Sequence, residues 1–190
     1  MSGKINRALG MWVAQQYAGL HVCAEDVAND RYLYPVCVVT ELTHGTTPLG
    51  AGKRHMETRD LLTGFIATVG RIHVANSTYR LTIQVPSTTT KSGREVCDEI
   101  SSAVENGVLA LQSNAGQTVL VDTGVTPSVS FPLESFRLVG RQQLDPDTDG
   151  EPVLYRSALT VQLVRLVPIQ RPVEAVIETI IVEDEDAEEA

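Results

Sequence analysis

Apolar and polar positions along the chain repeat with two periods. Over residues 4–18, Ile5, Ala8, Leu9, Trp12, Val13 and Tyr17 recur at steps of three and four, with only Gln16 off the pattern. This predicts an amphipathic helix that Gly19 stops. Trp12, the single tryptophan, sits at its centre, so the apolar face is expected to be docked. A second stripe, Val96, Ile100, Ala103, Val104, Val108 and Leu111, predicts another helix. Ser92-Gly93-Arg94-Glu95 has capping-box spacing at its start, and Asn114-Ala115-Gly116 is expected to close it. Gly107 lies inside this stripe, where glycine costs about 1 kcal/mol against alanine. Close packing is expected there.

Elsewhere the period drops to two or the run is β-branched. Val36–Leu42 reads as a buried strand after Pro35. Thr63–Val74 and Thr78–Val85 read as two strands joined by a turn at Ala75-Asn76-Ser77 and ended by Pro86. In the second, Tyr79, Leu81, Ile83 and Val85 alternate with Arg80, Thr82 and Gln84, giving one buried and one wetter face. Thr118–Asp122, a stretch near Phe136–Arg141, Leu154–Val167 and Val173–Val182 complete the expected strands. Residues 20–31 read as loop. So does the long segment Thr43–Arg59, which Gly45, Pro48, Gly50 and Gly52 punctuate and Lys53, Arg54 and Arg59 make cationic. The expected fold class is α+β: a mainly antiparallel (mixed) β-sheet packed against two amphipathic helices, with long extended loops. One domain is expected over 1–182, including a C-terminal strand extension at 153–182, followed by a disordered acidic tail at 183–190.

Charge refines this picture. The 190 residues carry a net charge of −9, and the tail from Glu183 holds six acids. Removing those six leaves −3 on residues 1–182, a nearly neutral body. Such a balance argues against wrapping nucleic acid, which needs excess cations to displace phosphate counterions. No stretch approaches 18 apolar residues, and the N-terminus lacks the apolar core of a signal peptide. Cys23, Cys37 and Cys97 are odd in number and form no CxxC, which fits reduced cysteines in a cytosol.

The candidate chemical motifs are incomplete. Gly45-Thr46-Thr47-Pro48-Leu49-Gly50 has the first spacing of a phosphate loop, but Ala51 stands where the lysine is required. Asp145-Pro146-Asp147-Thr148-Asp149-Gly150 opens like a calcium loop, yet its twelfth position is Arg156 instead of a bidentate glutamate. Asp145, Asp147 and Asp149 are therefore only a weak metal candidate, and an Asp-Gly hairpin turn is the simpler expectation. His21, His44, His55 and His73 lack metal-binding spacing, although His44, His55 and Glu57 share one long loop. There is no GxSxG, and Cys37 and Cys97 fall within apolar stripes where a thiol is inert. No catalytic or cofactor-binding residue is expected. The residues expected to matter are contact residues in the cationic loop: Thr43, Gly45, Pro48, Gly50, Gly52, Lys53, Arg54 and Arg59.

The order of elements resembles a known family. Ala8-Leu9-Gly10-Met11-Trp12-Val13 lies in an N-terminal helix ahead of Tyr34-Pro35-Val36-Cys37-Val38-Val39. The strand Tyr79-Arg80-Leu81-Thr82-Ile83-Gln84-Val85 then leads into the helix from Ser92 to Leu111. Over about residues 4–125 this layout resembles the tail terminator (tail completion) proteins of long-tailed bacteriophages and related neck proteins. The resemblance implies a structural virion protein and no enzyme, assembled in the host cytoplasm. It implies a homo-oligomeric, hexameric ring that caps the head-proximal end of the tail tube and joins it to the head-tail connector. The expected partners are further copies of the chain, the tail tube protein and the connector, with genomic DNA passing through the lumen without specific binding and no membrane involved. Another neck protein, either adaptor or head-closure, is one alternative. A small metal-dependent enzyme built on the aspartates is an alternative of a different class.

Overall fold

Two helices cover one side of a mixed β-sheet whose core strand alternates buried and part-exposed residues along much of its length. The computed structural model describes residues 2–24, 33–48, 55–59, 66–88, 91–112, 119–123, 126–149 and 152–172. In chain order the elements are α1 (Ser2–Ala14), β1 (His21–Ala24), β2 (Val36–Pro48), β3 (His55–Arg59), β4 (Ile66–Pro86), α2 (Gly93–Gln112), β5 (Val119–Asp122), β6 (Val129–Pro132), β7 (Ser135–Asp147) and β8 (Leu154–Pro172). The large sheet runs β1-β2-β4-β8-β7, with β3 also paired to β4, while β5 and β6 form a separate two-stranded sheet. β1 and β2 are parallel, and β3–β4, β5–β6 and β7–β8 are antiparallel. The fold is α+β, as the patterning implies.

The chain divides into two compact units. The larger joins residues 1–47 to 73–167, and the smaller joins 48–72 to 168–190. In the larger unit the core is continuous. Ile5, Ala8, Leu9 and Val13 of α1 and Cys97, Ile100, Val104 and Val108 of α2 pack with Cys37 and Val39, with Tyr79, Leu81, Ile83 and Val85, and with Leu159, Val161 and Leu163. All inward β4 positions are odd-numbered, as a period of two requires. The opposite side carries Thr78, Arg80, Thr82 and Gln84, all of them part-exposed or exposed. In the smaller unit, β3 and the start of β4 pair from His55↔Arg71 to Arg59↔Ile66, with a bulge beside Arg59.

The helix starts and stops follow local chemistry. Ser92 Oγ accepts from the Glu95 N–H at 3.2 Å, and the Ser92 N–H donates back to Glu95 Oε2 at 3.2 Å. This is the reciprocal capping box that the sequence implied. α1 ends at Ala14, four residues earlier than expected. Turn-like bonds from the Gln15 and Gln16 amides to the Trp12 and Val13 carbonyls follow, and then Gly19 at φ 82°. A Cβ on Gly107 would run into the Gln16 side chain and lie 3.2 Å from Trp12 Cζ2, so glycine there admits the end of α1. Asn114, Ala115 and Gly116, expected to close α2, lie outside the described residues.

Expectations for the strands are corrected as well. Ala75-Asn76-Ser77 is not a turn: β4 runs unbroken from Ile66 to Pro86, because Asn76 Oδ1 accepts from Gln162 Nε2 at 2.8 Å and Ser77 points inward to His44. Residues 21–24, expected to be loop, form β1. The expected loop Thr43–Arg59 is largely strand: Thr43, Gly45 and Pro48 belong to β2, and Arg59 ends β3. β6 follows β5, and β8 continues past Pro168 to Pro172. The expected strand at 173–182 and the tail lie outside the described residues.

Candidate functional site

The expected contact residues do not form a single loop. Thr43 and Gly45 lie exposed on β2, Pro48 closes that strand, and Arg59 is paired with Ile66. Gly50, Gly52, Lys53 and Arg54 lie outside the described residues. The aspartate segment is a turn organised by an arginine. Asp147 Oδ1 accepts from the Asp149 N–H at 3.2 Å and Oδ2 from Arg156 Nη1 at 3.3 Å. The same guanidinium donates to the Asp145 carbonyl at 3.0 and 3.1 Å. Arg156, which broke the calcium pattern in the sequence, thus neutralises the carboxylate a cation would need. Among the described residues no three His, Cys, Asp or Glu side chains converge as metal ligands.

One polar cluster sits where β2 and β4 are neighbours. His44 Nδ1 lies 2.8 Å from Ser77 Oγ and 3.6 Å from Glu41 Oε1. A Ser–His–carboxylate relay needs the hydroxyl and the carboxylate on different ring nitrogens. Here both face Nδ1, and Ser77 is only 2% exposed. The cluster is an internal tie between strands. Tyr79 lies beneath it, its hydroxyl pushed up to about 12 first by burial and then by the Glu41 charge. Arg165 joins from β8 with its guanidinium 5.8 Å from the centre of the Phe131 ring, and burial lowers its pKa.

The two ends of the sheet differ. At one end α1 lies against β1, so close that a Cβ on Gly10 would meet Val22 Cγ1 at 3.0 Å. Arg7 of α1 grips the fully buried Asp122 of β5 through Nε at 2.8 and 2.9 Å and Nη2 at 2.6 Å. Beside them opens a groove of about 560 Å³, lined by Asn6, Arg7, Gly10, Met11 and Ala14 of α1, by Leu20, by His21, Val22 and Cys23 of β1, and by Val39. Asn6 Oδ1 is buried there with no donor among the described residues.

At the other end, β7 carries two bulges. Leu138 pairs with Val161 and Gly140 with Thr160, which leaves Val139 as the extra residue, 58% exposed. That insertion resets the alternation and brings Arg141 level with Leu159 on the helix side. Arg141 there donates to Asp98 at 3.0 Å, Glu105 at 3.1 Å and Ser102 at 3.2 Å, all on α2. The second bulge, between Leu144 and Asp147, accommodates Pro146. Neither the groove nor the Arg141 tie was foreseen. The chain gives one hint of each: Gly10 in a helical stripe, and an arginine where apolar alternation should continue.

No protein-family model matches the sequence, and no curated protein matches it.

Proposed function

We propose that this chain is a structural subunit of a bacteriophage neck, a tail terminator that closes with copies of itself into a hexameric ring on the head-proximal end of the tail tube. The observation that carries this reading is the inequality of the sheet's two ends. A closed ring built from identical subunits needs two different, complementary surfaces on each subunit. The apolar β1 end, with its groove, and the polar, bulged β7 end are two such surfaces. The helix-bearing α+β architecture agrees with the element order on which the family resemblance rests. The sheet side opposite the helices, with Thr78, Arg80, Thr82, Gln84 and Arg137, adds a polar surface of the kind suited to packing against a tube or connector.

Mass photometry and negative-stain imaging of the purified chain test the reading. Rings near six times the 20.6 kDa subunit mass are expected. A species that stays monomeric at tens of micromolar and turns over a substrate only with added divalent metal would contradict it and favour an enzyme.

A further inference from the structure

We propose that the strip of sheet surface from Arg137 to Arg80, on the side opposite the helices, binds the acidic segment Glu183–Glu189 of a second copy of this chain. β4 and β8 are neighbours inside the sheet, and together they contain five arginines with no lysine, aspartate or glutamate. In a chain of net charge −9 this separates the signs: the acids lie elsewhere. Around Arg80 and Arg137 on that side, Asn76, Thr78, Thr82 and Gln84 of β4 and Thr160 and Gln162 of β8 are neutral hydrogen-bonding groups.

Arg137 is oriented by its neighbours. It pairs with Gln162 across β7 and β8, and its Nε donates to Gln162 Oε1 at 2.5 Å. Gln162 Nε2 in turn donates to Asn76 Oδ1 at 2.8 Å, so side chains of three strands fix the guanidinium. Its Nη1 and Nη2, a fork that a carboxylate accepts, meet no carboxylate among the described residues. Arg80 is exposed and makes no ion pair with a described residue. Arg7, Arg141 and Arg156, by contrast, are each spent on a carboxylate. Two strand spacings across and four residues along separate Arg137 from Arg80, about 16 Å.

Charge complementarity selects the occupant. Glu183–Glu189 holds six acids in seven positions and no cation, and it lies outside the described residues. Seven extended residues span about 23 Å, enough to meet both arginines. Pairing with them also offsets the mutual repulsion of the acids. The sequence between Pro172 and Glu183 says which copy supplies the segment. Residues 173–182 are rich in β-branched side chains and contain no Gly, Pro, Asn, Asp or Ser, the residues that reverse a chain. An extended run of ten residues carries the acids about 33 Å from Pro172, toward a neighbour instead of back onto their own sheet. The contact joins two different surfaces, so it is head-to-tail and compatible with ring closure. It occupies only part of the sheet side, and it rests on the proposed function only in requiring a second copy.

Charge reversal on the full chain tests it, read by sedimentation velocity. Three variants are compared with the unaltered chain: Arg80→Glu with Arg137→Glu, the six tail acids changed to lysine, and both sets combined. Either set alone should weaken self-association at least about tenfold, and the combined set should restore it. Weakening by each set without restoration would overturn the pairing. Association indifferent to every variant would overturn it while leaving the ring reading standing, and an unaltered chain that stays monomeric would overturn both. A cross-link identifies the copy and leaves both arginines in place. Chains with Thr82→Cys are mixed with isotopically heavy chains carrying Ala187→Cys and oxidised mildly. A light–heavy link between positions 82 and 187 is expected in peptide mass spectrometry. Its absence, with a double variant that closes only within one chain, would overturn the assignment to a second copy. A labelled DNA duplex is the remaining probe. Duplex binding lost in Arg80→Glu with Arg137→Glu, beside association unchanged by the lysine tail, would give the strip to nucleic acid and overturn the proposal.

Discussion

β1 and β7 end the same sheet path, yet they are guarded differently. β7 is long, and each of its thirteen residues could in principle template another strand. It carries two bulges, Pro146, and the charged Arg137 and Arg141, all features that blunt an edge. Arg141 also ties it to α2 through Asp98, Glu105 and Ser102. β1 is guarded by its shortness alone, four residues beside an apolar groove. Selection against stray pairing explains a guarded edge. One end of the sheet is guarded by bulges and charge, the other is short and apolar.

The guard on β7 is the first thing to remove. Deleting Val139 takes out the extra residue while leaving Gly140↔Thr160 and Arg141↔Leu159 in register, so the edge becomes flatter without losing the α2 tie. Association beyond that of the unaltered chain is expected, read as heavy, concentration-dependent species in sedimentation velocity. An unchanged distribution would mean that the bulge does not guard the edge.

The next largest effect tests whether the two ends share one core. Ile83 is fully buried on β4, between the elements of both ends. Ile83→Ala should cost about 2–5 kcal/mol in denaturant unfolding. Amides in β1 and β7 should lose protection together. If one end keeps its protection, the ends unfold separately.

High pH should weaken both ends more gently. Burial raises Tyr79 to about 12 and Cys97 to about 11, and it also pushes Cys37 up. A group with a raised folded pKa stays protonated in the folded state after its unfolded counterpart has ionised. Its contribution is therefore complete below the unfolded pKa and is lost as pH rises toward the folded one. For Tyr79 that window runs from about pH 10 to 12, with an expected loss of about 1–2 kcal/mol. Tyr79→Phe should flatten the tyrosine part of the decline in Tm against pH, while the cysteines' part remains.

The smallest effect is confined to one end. Arg141→Ala removes partly exposed ion pairs and should cost no more than about 1 kcal/mol. Hydrogen exchange should quicken in β7 and the facing turns of α2, and not in β1. A matching change in β1 would show that the ends are coupled through more than the shared core.

Local chemistry was legible in the sequence, and distant partnership was not. The capping box at Ser92 and Glu95, the close packing at Gly107 and the alternation of Tyr79, Leu81, Ile83 and Val85 depend on neighbours within a few positions, and each could be read directly. The false turn at Asn76-Ser77 shows the limit. Turn-forming residues stay in a strand there because Gln162, 86 positions away, and His44, 33 away, satisfy them. β1 and β6 were missed because four residues give too little period to count, and their partners decide them. The groove was invisible for the same reason. It exists because Gly10 lets α1 approach Val22 and because Arg7 finds Asp122, 115 positions later.

The claim that the two unequal ends of the sheet are the complementary surfaces of one assembly is tested most directly by hydrogen exchange on the intact chain, at concentrations above and below assembly. Assembly should slow the amides of residues 21–24 and of residues 137–145 at least about tenfold, equivalent to 1.4 kcal/mol or more. Rings in which the amides at either end exchange as fast as those of the monomer would contradict it.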